Sequence, residues 1–191
     1  MPMSDPPSFA HRRRYEGMGH ARYLTFSCFQ NRPFLSSGQA AGWFVQGLRA
    51  AREKQLFDLW AWVVMPEHVH VLVLPNEGVT VSRILSALKQ PVSKRALVYL
   101  RRENPEGLTR LADVQPSGRM SYRFWQRGGG YDRNIWTPAK VQEKIGYVHA
   151  NPVRRGLVER PGEWPWSSWR AWATGEDSPV PIDRKSVPPL T

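Results

Sequence analysis

Two strand-like runs, Phe57 to Val64 and His68 to Leu74, are separated by only three residues, Met65-Pro66-Glu67. A connection that short favours an antiparallel hairpin. Trp62, Val64, Val69, Val71 and Val73 supply the apolar surface that holds such a hairpin in a core. Strand side chains alternate faces, which places His68 and His70 side by side on one face. A pair of imidazoles so placed can hold a divalent metal, and a metal can polarise a phosphate or a carbonyl. The same pair can also be two partly buried histidines donating to backbone carbonyls, and the pair alone leaves both readings open.

The rest of the chain supplies partners for the hairpin. Arg22 to Phe29 alternates aromatic and small residues and reads as a first strand, followed by a turn through Asn31-Arg32-Pro33. Gln39 to Gln55 carries Ala40, Phe44, Leu48 and Ala51 at helical spacing. Val81 to Arg102 reads as a long basic helix whose cations either face solvent or contact phosphates. Arg119 to Tyr131 reads as a further strand entering a Gly128-Gly129-Gly130 turn, which lacks the Gly-Lys-Ser/Thr ending of a nucleotide-binding loop. Thr137 followed by Pro138 is an N-cap and first helical residue, opening a helix through Val141, Ile145 and Tyr147 to about Ala150. This order predicts an α+β fold, a sandwich with an antiparallel sheet and helices packed on it. Residues 1–20 and 176–191 are proline-rich and are expected to be disordered or loosely docked, the latter as a flexible tail, leaving 21–175 as one domain.

Composition points to the partner. Lys and Arg number 27 against 16 Asp and Glu, a net charge of +11, which suits a polyanion. Nine Trp add stacking faces for unpaired bases. Cys28 is the single cysteine, so neither an intramolecular disulfide nor a thiolate metal cluster can form. No apolar run follows Arg12-Arg13-Arg14 in the manner of a signal peptide, and none approaches the ~20 residues of a membrane span. A soluble, cytoplasmic protein is expected.

The second informative segment is Tyr147-Val148-His149-Ala150-Asn151-Pro152-Val153-Arg154-Arg155-Gly156-Leu157-Val158. Helix residues four apart share a face, so Tyr147 and Asn151 can address one site, while His149 points away. Pro152 disfavours α geometry at Asn151, and by itself Asn151 reads as the N-cap of a short helix from Pro152 to Gly156. Tyr147 by itself reads as an aromatic at the edge of the core.

Taken together, His68-Val69-His70 in the setting Val64 to Leu72, the Tyr147 to Val158 segment, and Trp164-Pro165-Trp166-Ser167-Ser168 resemble the REP-associated tyrosine transposases. These are single-tyrosine transposases of the histidine-hydrophobic-histidine (HUH) endonuclease superfamily. The resemblance runs from about Tyr23 to Trp169. It implies a ferredoxin-like HUH sandwich, Tyr147 as the catalytic nucleophile, and a divalent metal, Mg²⁺ or Mn²⁺, held by His68, His70 and Asn151. Relatives commonly carry Asn before the first histidine where this chain has Glu67, whose side chain is expected to face away from His68. The superfamily's third ligand is often Gln, and Asn151 matches the REP-associated branch.

The resemblance implies cleavage of single-stranded DNA at hairpins with single-stranded flanks, through a 5′-phosphotyrosine, by a monomer or homodimer. Arg83, Lys89, Lys94, Arg95, Arg154 and Arg155 are expected to contact the DNA backbone and Tyr122 to stack on a base, whereas Phe124 and Trp125 read better as core. A histidine-triad nucleotide hydrolase is disfavoured because Leu72 stands where its third histidine belongs. A replication initiator or relaxase would bring further domains that 191 residues do not hold. A non-catalytic nucleic-acid-binding relative would keep the charge and the fold without cleavage.

Overall fold

The computed structural model describes residues 19–175 and 178–190. The N-terminal stretch expected to be disordered lies outside the described residues except for Gly19 and His20. Strands β1 (Ala21–Ser27), β2 (Phe57–Val64), β3 (His68–Pro75) and β6 (Tyr131–Ile135) form one antiparallel sheet in the order β2-β3-β1-β6. Helix α1 (Gly38–Glu53) joins β1 to β2, and α2 (Val81–Glu103) lies between β3 and β6. The β-α-β-β-α-β succession with this strand order is the ferredoxin-like arrangement. A two-stranded hairpin, β4 (Ala112–Val114) with β5 (Met120–Tyr122), lies between α2 and β6. Helices α3 (Pro138–Arg154) and α4 (Trp169–Ala173) complete the fold.

Alternation sorts the sheet into two faces. Leu24 and Phe26 of β1 and Val69, Val71 and Val73 of β3 face the core beneath α1 and α2. Tyr23, Leu72 and Ile135 face the second core, where Val141, Ile145 and Val148 of α3 pack. In β2 a bulge between Leu59 and Ala61 breaks the alternation. Trp60 and Ala61 therefore both face the α3 side, while Leu59 and Trp62 face α1 and α2. The turn carrying Pro66 and Glu67 is fixed from outside, since their carbonyls accept the N–H groups of Leu35 (2.9 Å) and Cys28 (2.8 Å).

Three expectations are corrected. The single strand from Arg119 to Tyr131 is instead β5, a loop, and β6. In that loop Gly130 has φ +74°, and a Cβ there would stand 2.2 Å from the Thr25 carbonyl, so only glycine fits. Helix α3 does not end near Ala150 but runs through Pro152 to Arg154.

The third correction concerns the C-terminal segment, which is docked rather than flexible over its described residues. Val180 is fully buried in the α1/α2 core. The Asp183 carboxylate takes Arg52 Nη2 at 2.6 Å and Nε at 3.0 Å and accepts the Leu59 N–H at 2.8 Å. Its own N–H donates to the Leu59 carbonyl at 2.8 Å. Together with Trp166 and Ser168, which bond the backbone of Val64 and Trp62, this segment covers the outer edge of β2. Prolines around Val180 and Ile182 forbid a regular ladder, which is why the segment reads as loop, yet single contacts between them suffice. Asp183→Ala should lower the unfolding free energy by about 1–3 kcal/mol, because it leaves the Leu59 N–H and Arg52 without their acceptor. An unchanged urea midpoint would show that the segment is not held there.

Candidate active site

β3 presents His68 and His70 on the α3 side of the sheet, as alternation requires. Their Nε2 atoms lie 2.9 Å apart with the rings nearly perpendicular at 80°. His70 is directly opposite Thr25 in the β1–β3 register, and its Nδ1 lies 2.7 Å from both Thr25 Oγ1 and Tyr23 Oη. Those hydroxyls fix the ring and, with the proton on Nδ1, leave the Nε2 lone pair aimed at the site. Burial, and then the neighbouring His68, pull the His70 pKa down to about 3, and burial lowers that of His68 also. Both imidazoles are therefore neutral near pH 7, the form that binds metal.

Glu67 does not face away. Its Oε1 lies 3.1 Å from His68 Nδ1 and 2.8 Å from Arg155 Nη2. The carboxylate thus joins the first histidine to the C-terminal end of α3, the helix that carries the tyrosine.

Asn151 is buried inside α3 and is not an N-cap. Pro152 has no N–H for the Val148 carbonyl, and the Asn151 amide compensates, its Nδ2 donating to Tyr147 O at 2.8 Å and reaching Val148 O at 3.5 Å. The Asn151 side chain also lies beside His70 and favours its protonated form, against the larger effect of burial. Among the described residues no group of three or more His, Cys, Asp or Glu could hold a metal. The Asn151 amide is a third donor that the arrangement offers beside the two imidazoles. Two neutral imidazoles with fixed Nδ1 partners, and an amide whose N–H₂ is occupied by carbonyls, fit a divalent ion.

Tyr147 is half-buried, its ring edge-on to His70 (6.0 Å between centroids) and to Tyr23 (6.1 Å). Two cations flank it, Lys144 Nζ at 4.7 Å and the Arg154 guanidinium at 5.1 Å from the ring centre. Two further phenols are near: Tyr23 is 5% exposed, and burial holds its pKa well above the ordinary tyrosine range, while Tyr131 is 39% exposed and meets Tyr23 edge-on at 6.1 Å. Tyr147 is the less buried phenol that packs against His70 and stands between the two cations. Lys144 was absent from the sequence-derived set, although its i, i+3 spacing to Tyr147 was the available signal.

The structure thus gathers Tyr147, His68, His70, Asn151, Arg154 and Arg155. It does not bring in Arg83, Lys94 or Arg95, which lie on α2 across the sheet. Lys89 is turned to the protein, donating to Gly128 O at 3.0 Å and Gln126 O at 3.4 Å. Tyr122 packs against the α1/α2 core, and Phe124 and Trp125 are part of it.

His149 points away from Tyr147, as its spacing requires, and has a structural role. Its Nε2 lies 2.8 Å from Ser168 Oγ, which also accepts the Trp62 N–H at 2.9 Å. Burial lowers its pKa to about 4 from 6.5. Between those values the unfolded chain binds a proton that the folded chain does not, so stability falls as pH drops through this window. From pH 7 to pH 4.5 this one group should remove roughly 2 kcal/mol, and His149→Gln should lose correspondingly less. Equal acid sensitivity in chemical denaturation would remove His149 as the cause.

No family model matches the chain. It is 26% identical over 162 residues to the REP-associated tyrosine transposase of Escherichia coli (strain K12), covering 82% of this chain and 81% of that protein. A Haemophilus influenzae protein that bears the same family name provisionally is 25% identical over 114 residues, 59% of each chain. The solved structure of a REP-associated tyrosine transposase bound to a REP hairpin superposes with a TM-score of 0.62 at 20% identity, covering 99% of this chain and 96% of that one. The chain is thus similar in sequence over about four-fifths of its length, and in fold over nearly all of it, to REP-associated tyrosine transposases.

Proposed function

We propose that the chain is a metal-dependent single-stranded DNA endonuclease and strand transferase acting at or near hairpin-forming repeats through a covalent 5′-phosphotyrosine. The observation that carries this reading is an accessible Tyr147 set against the paired Nε2 atoms of His68 and His70 and flanked by two cations. The solved relative's hairpin supports the substrate class.

Tyr147 Oη attacks the scissile phosphorus, forming a phosphotyrosyl ester as the P–O3′ bond breaks. The phenol proton leaves to solvent and the departing 3′ oxygen takes one up. Lys144 and Arg154 stabilise the phenolate and the charge on the phosphate. Glu67, through His68 and Arg155, keeps β3 and the end of α3 in register. Bound by His68, His70 and Asn151, Mg²⁺ or Mn²⁺ would supply Lewis-acid polarisation of the phosphate. The ester conserves the energy of the broken bond, so a 3′-hydroxyl can attack it in reverse and rejoin strands. No helix among the described residues is long and apolar enough to cross a membrane.

The test is a labelled hairpin with single-stranded flanks incubated with the protein and Mn²⁺, then run on a denaturing gel. A protein–DNA adduct is expected, and none with a blunt duplex. Binding to the flanked hairpin should weaken with salt, the slope of log affinity against log salt being roughly −3 to −5 for several phosphate contacts at about −0.7 each. Binding without any adduct would leave a non-catalytic nucleic-acid-binding protein, and equal affinity for blunt duplex would contradict the single-strand reading.

A further inference from the structure

The face of the sheet opposite Tyr147 carries a second set of features that the tyrosine chemistry does not use. Between the start of α1 and the end of α2 lies a cleft of about 290 Å³ walled by Phe34, Trp43, Tyr99 and Phe124, with Arg110 at its mouth. The Arg110 guanidinium sits 5.6 Å from the Phe34 ring centre, and Trp43 meets Tyr99 edge-on at 5.7 Å. Trp43 and Tyr99 also floor an adjoining shallow trough along the outside of α2, rimmed by Lys94, Arg95 and Arg102. Val98 stands 64% exposed in that trough. The acid at the rim, Glu103, is held by Arg102 at 3.0 Å.

Aromatic rings and cations lining one surface supply what a strand of unpaired nucleotides requires: stacking partners for its bases and countercharges for its phosphates. A duplex would offer paired bases with no free faces to this floor. A second copy of the chain would set +11 against +11, which opposes association. The sheet separates the trough from Tyr147, so a segment bound here is not the segment under attack.

We propose that the outer face of α1 and α2 is a second binding surface for single-stranded DNA, its cleft taking an unpaired base and Lys94, Arg95 and Arg102 the backbone. The identity of the polyanion rests on the reading of the chain as a DNA-processing protein. The surface would let the protein hold one unpaired segment while Tyr147 acts on another.

The experiment uses the full chain carrying Tyr147→Phe and an oligothymidylate of about 20 nucleotides bearing 5-iodouracil, long enough for a site of this kind. Photo-crosslinks mapped by mass spectrometry should fall on peptides containing Trp43 or Tyr99; crosslinks confined to residues 131–155 would overturn the proposal. In a second arm, Val98→Glu with Arg102→Glu, both at exposed positions, should weaken oligothymidylate binding at least ~10-fold. The same pair in the Tyr147 background should leave adduct formation on a short-flanked hairpin within about two-fold. Unchanged oligothymidylate affinity would overturn the proposal, as would sedimentation showing a dimer that the double variant dissociates. If the wild type forms no adduct while the Trp43 and Tyr99 crosslinks persist, the tyrosine mechanism falls and this surface stands.

Discussion

Tyr147→Phe should abolish the covalent protein–DNA adduct while leaving hairpin affinity within about two-fold, because only the nucleophilic oxygen is lost. Removal of a covalent nucleophile typically lowers turnover by ~10⁴-fold or more, so no adduct should be visible on a denaturing gel. The ring remains to pack against His70 and Tyr23, and Lys144 and Arg154 keep their charges for the phosphate. Tyr23 cannot substitute, since its phenol is buried and engaged with His70 Nδ1. A persistent adduct in Tyr147→Phe would place the nucleophile elsewhere.

The second large effect is expected at the histidines. His68→Ala and His70→Ala each remove one of two converging nitrogens and should lower divalent-metal affinity by ~100-fold or more and suppress cleavage with it. The two differ in stability. His70→Ala leaves the Thr25 and Tyr23 hydroxyls without their buried partner and should also cost about 1–3 kcal/mol, whereas His68 is less enclosed. Asn151→Ala should weaken metal binding less and destabilise α3, since its amide serves the carbonyls around Pro152. Calorimetric titration with Mn²⁺ together with urea unfolding separates these outcomes. Unchanged metal affinity in the double-histidine variant would remove the metal centre.

Much of the site was legible because it is written in short periods. The three-residue link favoured an antiparallel hairpin, two-residue alternation placed His68 and His70 on one face, and four-residue spacing aligned Tyr147 with Asn151. Periodicity likewise yielded α1, the order of elements the α+β class, and the Thr137-Pro138 pair the start of α3. Local rules failed where the answer lay in a distant partner. Pro152 argued for a break at Asn151, but packing of α3 on the sheet and the Asn151 side-chain bonds carry the helix through it. Lys89 looked like one more cation on a basic helix, and only the loop 126–128, folded over it, shows where its ammonium goes.

The sequence by itself determined the types of β1, β2, β3 and the three long helices, the faces of the histidines and of the tyrosine helix, and the cationic character that suits a polyanion. The tertiary structure alone decided that Glu67 reaches both His68 and Arg155, that Lys144 and Arg154 flank Tyr147, and that Arg83, Lys94 and Arg95 lie across the sheet from it. It also decided that the C-terminal segment closes the edge of β2. The physical reason is range: periodicity reports which way a side chain leaves its own element, whereas charge pairing and edge covering depend on groups up to 131 residues apart, as in Arg52 with Asp183.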